Sequence, residues 1–476
     1  MLNENFALVW LITRRELRDQ FRDWRILFPM IVLTLFFPFL MNYTASQAVA
    51  FVGRYGANLI GERLVPFLLM VVGFFPITVS LVIALEAFVG EKERGTIEPL
   101  LSSPLKDWQL YLGKLLAGTS VPLLTAYFGI SVYLIGLRIQ NIPGLDAGLL
   151  VQTITLTSVQ AVLMVSGAIV ISTQATSVRA ANLMSSFIVI PMALLIQGES
   201  VLMFWGNNQV LWTAVIGVTV MAALLVRVGV SHFQREALLG REIDVLNLRW
   251  IWRTFWRSLR GEAKTLGEWY RREVAGTLRK QAIPILITCL LGLAAILAGY
   301  FWLLANSSRL QLGHTPADFQ KVMETTLSAP TGVQISFQYI WLHNLRAVAL
   351  ILLLGIFSFG VLGSVVFIGN IGLIGAVMGL IKLVGFSPEL LALSGILPHG
   401  IFEIPAIILA SAGVLHIGVI LVTPLPDRTL GEVILGALAD WAKIGFGLVL
   451  PLLTLAAAIE VWITPRLMLL ALQGGG

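Results

Sequence analysis

Leu64–Phe88, LVPFLLMVVGFFPITVSLVIALEAF, is an almost unbroken apolar run, and within a few residues it is followed by Glu91–Pro104, EKERGTIEPLLSSP. A helix needs about 20 apolar residues to cross a bilayer, so the first stretch reads as a membrane span. The second fastens a dense group of charges, two prolines and a glycine to the end of that span. Such a junction suggests where force enters the membrane.

Composition extends this reading to the whole chain. Of 476 residues, 57% are hydrophobic and only 12% charged, whereas soluble domains carry roughly a quarter of their residues as charges. Runs of spanning length recur throughout, without the alternation of outer-membrane barrel strands. Helices are the remaining way to satisfy backbone polar groups in lipid. The expected fold is all-α: a polytopic helical membrane protein with about 10 to 12 transmembrane helices in two bundles, plus amphipathic interfacial helices. The lone cysteine, Cys289, lies inside an apolar run, so no disulfide framework forms within one chain. The N-terminus lacks a short apolar core with a small-residue cleavage site, and the first span is expected to be retained.

In the first half, spans are predicted at about 26–45, 64–88, 112–137, 148–172, 183–200 and 209–230. Arg14, Arg15, Arg18, Arg22 and Arg25 precede the first, and Lys92, Arg94, Lys106 and Lys114 lie between the second and third. The positive-inside rule puts these segments and the N-terminus in the cytoplasm, and the chain is expected in the plasma membrane of a prokaryotic cell. Arg54, Arg63 and Arg138 fall on the other side. Residues 236–281 form a basic junction in which Arg249, Arg253, Arg257 and Arg260 share one helix side, with Leu248, Trp252, Trp256 and Leu259 beside them. That pattern fits a helix lying in the headgroup layer. Arg14, Arg18, Arg22 and Arg25 repeat the spacing, through internal duplication or as an independent surface helix.

The second half has clear runs at about 282–305, 345–368, 398–423 and 443–464. The glycine-rich Gly369–Gly385 is either a further crossing or a re-entrant segment. Asn306–Gln338 is expected to be an extracytoplasmic loop. The expected domains are therefore 1–235, the junction 236–281, and 282–476.

The Glu91–Pro104 stretch resembles the signature of ABC type-2 export permeases, E-x-E-R-G-T-x-E-x-L-L-x-x-P after the second span, and matches it at Glu91, Glu93, Arg94, Gly95, Thr96, Glu98, Leu100, Leu101 and Pro104. This resemblance covers roughly residues 1–235. The C-terminal part resembles the stage II sporulation protein M family through His343-Asn344-Leu345-Arg346, Gly369-Asn370-Ile371-Gly372, ILPHGIFEIPAIILASAG at Ile396–Gly413, and AAAIEVWITP at Ala456–Pro465. It covers roughly residues 265–466. Each family usually occurs as a separate polypeptide.

The permease resemblance implies the membrane subunit of an ATP-driven exporter, not an enzyme, with Glu91, Lys92, Glu93, Arg94, Gly95, Thr96, Glu98 and Pro99 facing an ATPase subunit. Glu91, Glu93 and Glu98 offer carboxylates to basic grooves of that partner, and Lys92 and Arg94 answer acidic ones. Gly95 permits a sharp turn, and Pro99 stiffens the chain beyond it. No phosphate-cradling G-x-x-x-x-G-K-[ST] occurs, and Gly113-Lys114 lacks the upstream glycine and the hydroxyl. This chain is thus expected to bind no cofactor, with ATP and Mg on a separate ABC ATPase partner present in two copies. The C-terminal half either serves as the second membrane half, or two whole chains pair. The sporulation resemblance implies a rival, a non-transporting scaffold anchoring cell-wall-remodelling partners. Membrane lipids account for the net charge of +6 at the membrane edges, and no nucleic-acid partner is expected.

Polar residues at membrane depth complete the candidates. Thr153, Thr157 and Gln160 form a strip at helical spacing in the fourth span, either bonding between helices or lining a translocation path. In the second half His343, Asn344, Arg346, Asn370, His399, Glu403 and Glu460 form a candidate intramembrane polar cluster, in which Glu403 or Glu460 neutralises Arg346, or the outer members lie at headgroup level. No metal ligand set is expected, because H-x-x-x-E has the wrong order for H-E-x-x-H and Pro398 and Pro405 crowd it.

Overall fold

The computed structural model describes the chain except for residues 1, 56–57, 97–101, 143–144, 176, 206–207, 234–247, 307–335, 386, 424–429 and 475–476. The regular elements among the described residues are all helical, and ten of the helices are long and apolar enough to cross a membrane. The protein is an all-α polytopic membrane protein. It divides into two compact units, residues 1–246 with 422–424, and residues 247–421 with 425–476.

In the first unit the helix Asn58–Glu93 is central, packed against Trp24–Tyr55, Asp107–Ile139 and Ala147–Gln174, while Ala147–Gln174 also carries Asn208–His232. Leu68, Leu69, Val72, Ile130, Tyr133 and Leu137 form the buried core between them. The Tyr133 hydroxyl donates to the Val65 carbonyl at 3.1 Å, which satisfies the phenol in apolar surroundings. Phe28, Phe36 and Phe39 remain exposed on Trp24–Tyr55, the outward apolar face that a bilayer covers. The surface helix Leu2–Gln20 is fixed to Asp107–Ile139 by buried Val9 and Ile12 and by Thr13. The Thr13 hydroxyl lies 2.9 Å from the Val9 carbonyl and 3.2 Å from the Gly113 carbonyl.

In the second unit Ala282–Ala305 lies directly on Val361–Leu383. A Cβ on Gly375 would strike the Ile296 carbonyl, and one on Gly299 the Gly372 carbonyl, so the two backbones touch with no side chain between them. Close backbone approach at small residues is how helices associate in lipid, where hydrophobicity gives no drive. Gly369–Gly385 is thereby resolved: most of it belongs to the span Val361–Leu383, and Gly372, Gly375 and Gly379 serve helix contact.

The expected span 345–368 is replaced by two helices, Phe337–Phe357 and Val361–Leu383. Phe359 and Gly360 adopt positive φ of 52° and 90°, which turns the chain between them. The Ser358 hydroxyl accepts the Leu362 amide at 2.8 Å, capping the new helix start. Hydropathy does not fall across this turn, so the sequence pattern merges its flanks. The run at 398–423 is also longer than expected, reaching from Pro388 to Leu421 through a π-helical turn at Ala392–Ile396.

The basic junction helix Leu248–Arg260 packs on Leu430–Ile444, burying Leu259 while Arg249, Arg253, Arg257 and Arg260 stay exposed. After it, the Trp269 indole donates to the Leu259 carbonyl at 2.8 Å, and the Tyr270 hydroxyl to the Gly447 carbonyl at 3.0 Å. Lys443, nearly buried, sits 2.8 Å from Glu273 and 2.9 Å from Asp440.

Gly375→Val is expected to destabilise the protein by about 1–3 kcal/mol, because the added methyls meet backbone that cannot rotate away. The melting temperature of the detergent-purified chain should fall. Gly369→Val, whose Cβ would meet nothing within 4 Å, should leave it near wild type.

Candidate functional site

The charged junction after the second span has a defined geometry. Gly95 has φ +68°, its amide donates to the Lys92 carbonyl at 3.2 Å, and the Thr96 amide donates to the Glu91 carbonyl at 2.9 Å. These two bonds are the Schellman motif, in which a left-handed glycine satisfies the last carbonyls of a helix and stops it. The glycine of the E-K-E-R-G-T stretch is therefore a helix terminator. Glu93, Arg94, Gly95 and Thr96 are exposed at this tip, and Lys92 is partly buried. Glu98 and Pro99 lie outside the described residues.

Beneath the tip lies a sealed lysine. Lys114 is 1% exposed, and its ammonium lies 3.2 Å from Glu91 and 3.1 Å from Glu16 of the surface helix. It also donates to the Ala87 carbonyl at 2.7 Å and lies 4.9 Å above the Phe88 ring. Arg15 reaches the same Glu91 carboxylate at 3.6 Å. The Glu91 carboxylate, expected to face a partner, is therefore turned inward: an ammonium this deep requires anionic partners, and Glu91 and Glu16 are its two carboxylates among the described residues.

Two further contacts tie this helix end to its neighbours. The Glu93 carboxylate accepts the Val178 amide at 2.7 Å, placing negative charge at the start of the short helix Val178–Met184. The Ser172 hydroxyl oxygen lies 3.0 Å from the Phe88 amide and 3.1 Å from the Val89 amide, both donating to it from the last turns of the second span. Arg94 pairs loosely with Glu86 at 4.0 Å.

The polar strip is deeply placed. Thr153, Thr157 and Gln160 are each almost fully buried. Thr153 donates to the Leu149 carbonyl of its own helix at 2.9 Å. The Gln160 amide crosses to the buried Glu199 carboxylate at 2.5 Å, so Gln160 joins two helices. Sequence reasoning does not single out Glu199; its place near the end of a predicted span is the available signal.

The second unit divides its polar candidates. His343, Arg346 and Asn370 are exposed, and Arg346 makes no ion pair with a described residue. Neutralisation of Arg346 by Glu403 or Glu460 is accordingly replaced by another grouping. One ring nitrogen of His399 and one carboxylate oxygen each of Glu403 and Glu460 lie within 4.8 Å of one another. Asn344, buried, stands beside Glu403. Pro405 does not break this segment, which is one helix over Leu397–Val422.

Comparison with known proteins gives two family matches. Residues 10–211 match the model of the ABC-2 family transporter protein, and residues 287–465 that of stage II sporulation protein M. The "Probable ABC transporter permease protein NosY" of Pseudomonas aeruginosa is 35% identical over 114 residues, 23% of this chain and 38% of that protein. The protein of the same name from Stutzerimonas stutzeri is 28% identical over 143 residues, 30% of this chain and 49% of its own length. The chain thus spans less than half of either NosY protein. The "Uncharacterized protein MJ0793" of Methanocaldococcus jannaschii is 31% identical over 136 residues, 29% of this chain and 75% of that protein.

Lys114→Met should leave the partly buried Glu91 and Glu16 carboxylates without their shared ammonium, a loss of about 3 kcal/mol. Thermal unfolding in detergent should show this, and Glu91→Gln in the Lys114→Met background should recover part of it.

Proposed function

The chain belongs to the ABC-2 family transporter proteins through residues 10–211 and to the stage II sporulation protein M family through residues 287–465, and from that premise we propose that it is the permease subunit of an ATP-driven exporter. The observation carrying this reading is the tip at Glu93–Thr96: an exposed, glycine-terminated helix end standing on a buried ion network. A rigid lever of this kind takes up displacement without fraying. A separate ABC ATPase, in two copies and holding ATP and Mg, docks on this tip from the cytoplasm, where the N-terminus also lies. Lys92 and Arg94 meet acidic groups of that subunit, Glu98 and Pro99 extend the contact, and Glu91 braces it from behind. The Thr153, Thr157 and Gln160 strip borders the translocation path, and the C-terminal half serves as the fused second membrane half, so that one chain carries two ATPases.

The second reading rests on the match of residues 287–465 to stage II sporulation protein M. In it the chain is a membrane scaffold that anchors cell-envelope partners through the Asn306–Gln338 segment.

Arg94→Glu should abolish copurification of a coexpressed ABC ATPase subunit while leaving the melting temperature unchanged, since Arg94 is exposed and its ion pair among the described residues is 4.0 Å long. Retained ATPase binding in Arg94→Glu, together with loss of function on deleting the Asn306–Gln338 segment, would favour the scaffold.

A further inference from the structure

Two carboxylates and an imidazole meet inside the second unit without a basic partner. His399 and Glu403 stand one turn apart on Leu397–Val422, and Glu460 comes from Leu450–Trp462, some sixty residues on. Their ligand atoms fall within 4.8 Å of one another, and no described lysine or arginine forms an ion pair with either glutamate. Ionised carboxylates this close repel one another, and at membrane depth little water screens them. Either a proton or a bound cation must offset that repulsion.

Two neighbours show what form that charge takes. The Thr464 hydroxyl donates to the Ile459 carbonyl at 3.3 Å, so its oxygen is left to accept from His399 Nδ1, 3.2 Å away. In that tautomer the proton sits on Nδ1 and Nε2 keeps its lone pair. A metal-ligating histidine is held by its other nitrogen in the same way. Beside Glu403 stands Asn344, only 6% exposed, with its side chain turned toward that carboxylate. The Asn344 side-chain nitrogen completes no hydrogen bond although it is buried. A buried donor aimed at a carboxylate oxygen suits the role of orienting a ligand through its second oxygen.

We propose that His399, Glu403 and Glu460 form a binding site for a divalent first-row metal ion, with Asn344 and Thr464 holding the ligands in place. Imidazole with carboxylates suits zinc, bound by three protein groups with a fourth position left for water or another ligand. Ligand atoms around zinc stand about 3.3 Å apart, a distance that rotations of the two glutamate side chains close from the one seen here. The ion bridges two helical segments far apart in sequence, which is why spacing alone named no ligand set. The site is independent of the transport reading.

The test is metal binding by the full-length, untagged chain in detergent, measured by competition of zinc against a chromophoric chelator. One zinc per chain is expected. His399→Ala, Glu403→Gln and Glu460→Gln should each weaken binding about a hundredfold, Asn344→Ala about tenfold, and exposed His343→Ala should not change it. Zinc should also raise the melting temperature of the wild type and not of Glu460→Gln. The two glutamine variants preserve side-chain volume, so they report on binding even if His399→Ala does not fold. Absence of stoichiometric zinc in the wild type, or wild-type affinity in both glutamine variants, overturns the proposal; in the latter case the zinc sits elsewhere, and in the former the carboxylates are neutralised by protons.

Discussion

A lysine ammonium with almost no access to water is the constraint around which the first unit is organised. Charge in that position is tolerated only where carboxylates meet it at hydrogen-bond distance and the remaining donors find acceptors. Lys114 meets both conditions by drawing two other pieces of chain to its own helix: the surface helix through Glu16, and the end of the second span through Glu91 and the Ala87 carbonyl. The second unit repeats the device with other residues. Lys443 joins Glu273 of the basic junction to Asp440 of its own helix. In each unit a buried lysine fastens amphipathic chain to a long apolar helix, at a place where hydrophobic burial alone would let one slide along the other.

The two units pack their apolar interiors differently. The first interleaves large side chains, with Leu69, Val72 and Tyr133 filling the space between spans. The pair Ala282–Ala305 and Val361–Leu383 instead removes side chains from the seam, so that carbonyls and Cα atoms touch. The second mode leaves little tolerance, because nothing at the contact can change rotamer. It also explains why so glycine-rich a stretch forms a continuous span.

Much of this is legible from residue types. Apolar run length gives the all-helical membrane fold, and the charged stretch after Phe88 marks a junction with a defined turn. The hidden part depends on pairings that no local pattern encodes. Lys114 reads as a charge setting topology because its partners lie about 25 and 100 positions away. The turn at Phe359-Gly360 is invisible because apolar residues continue through it. The grouping of His399 and Glu403 with Glu460 rather than Arg346 is decided by which helix faces meet, and sequence spacing relates only the first two.

The Ser172 hydroxyl has a mechanical consequence. By receiving the Phe88 and Val89 amides, it inserts a side chain from a neighbouring helix into the peptide ladder of the second span, one turn above its pinned end. A displacement applied at the tip is not carried along a single rod. At that level it divides, part continuing up the parent helix and part being handed sideways to Ala147–Gln174, the helix that bears the Thr153 and Gln160 side chains. Under the proposed coupling role, this joint would share a push at the surface between the two helices.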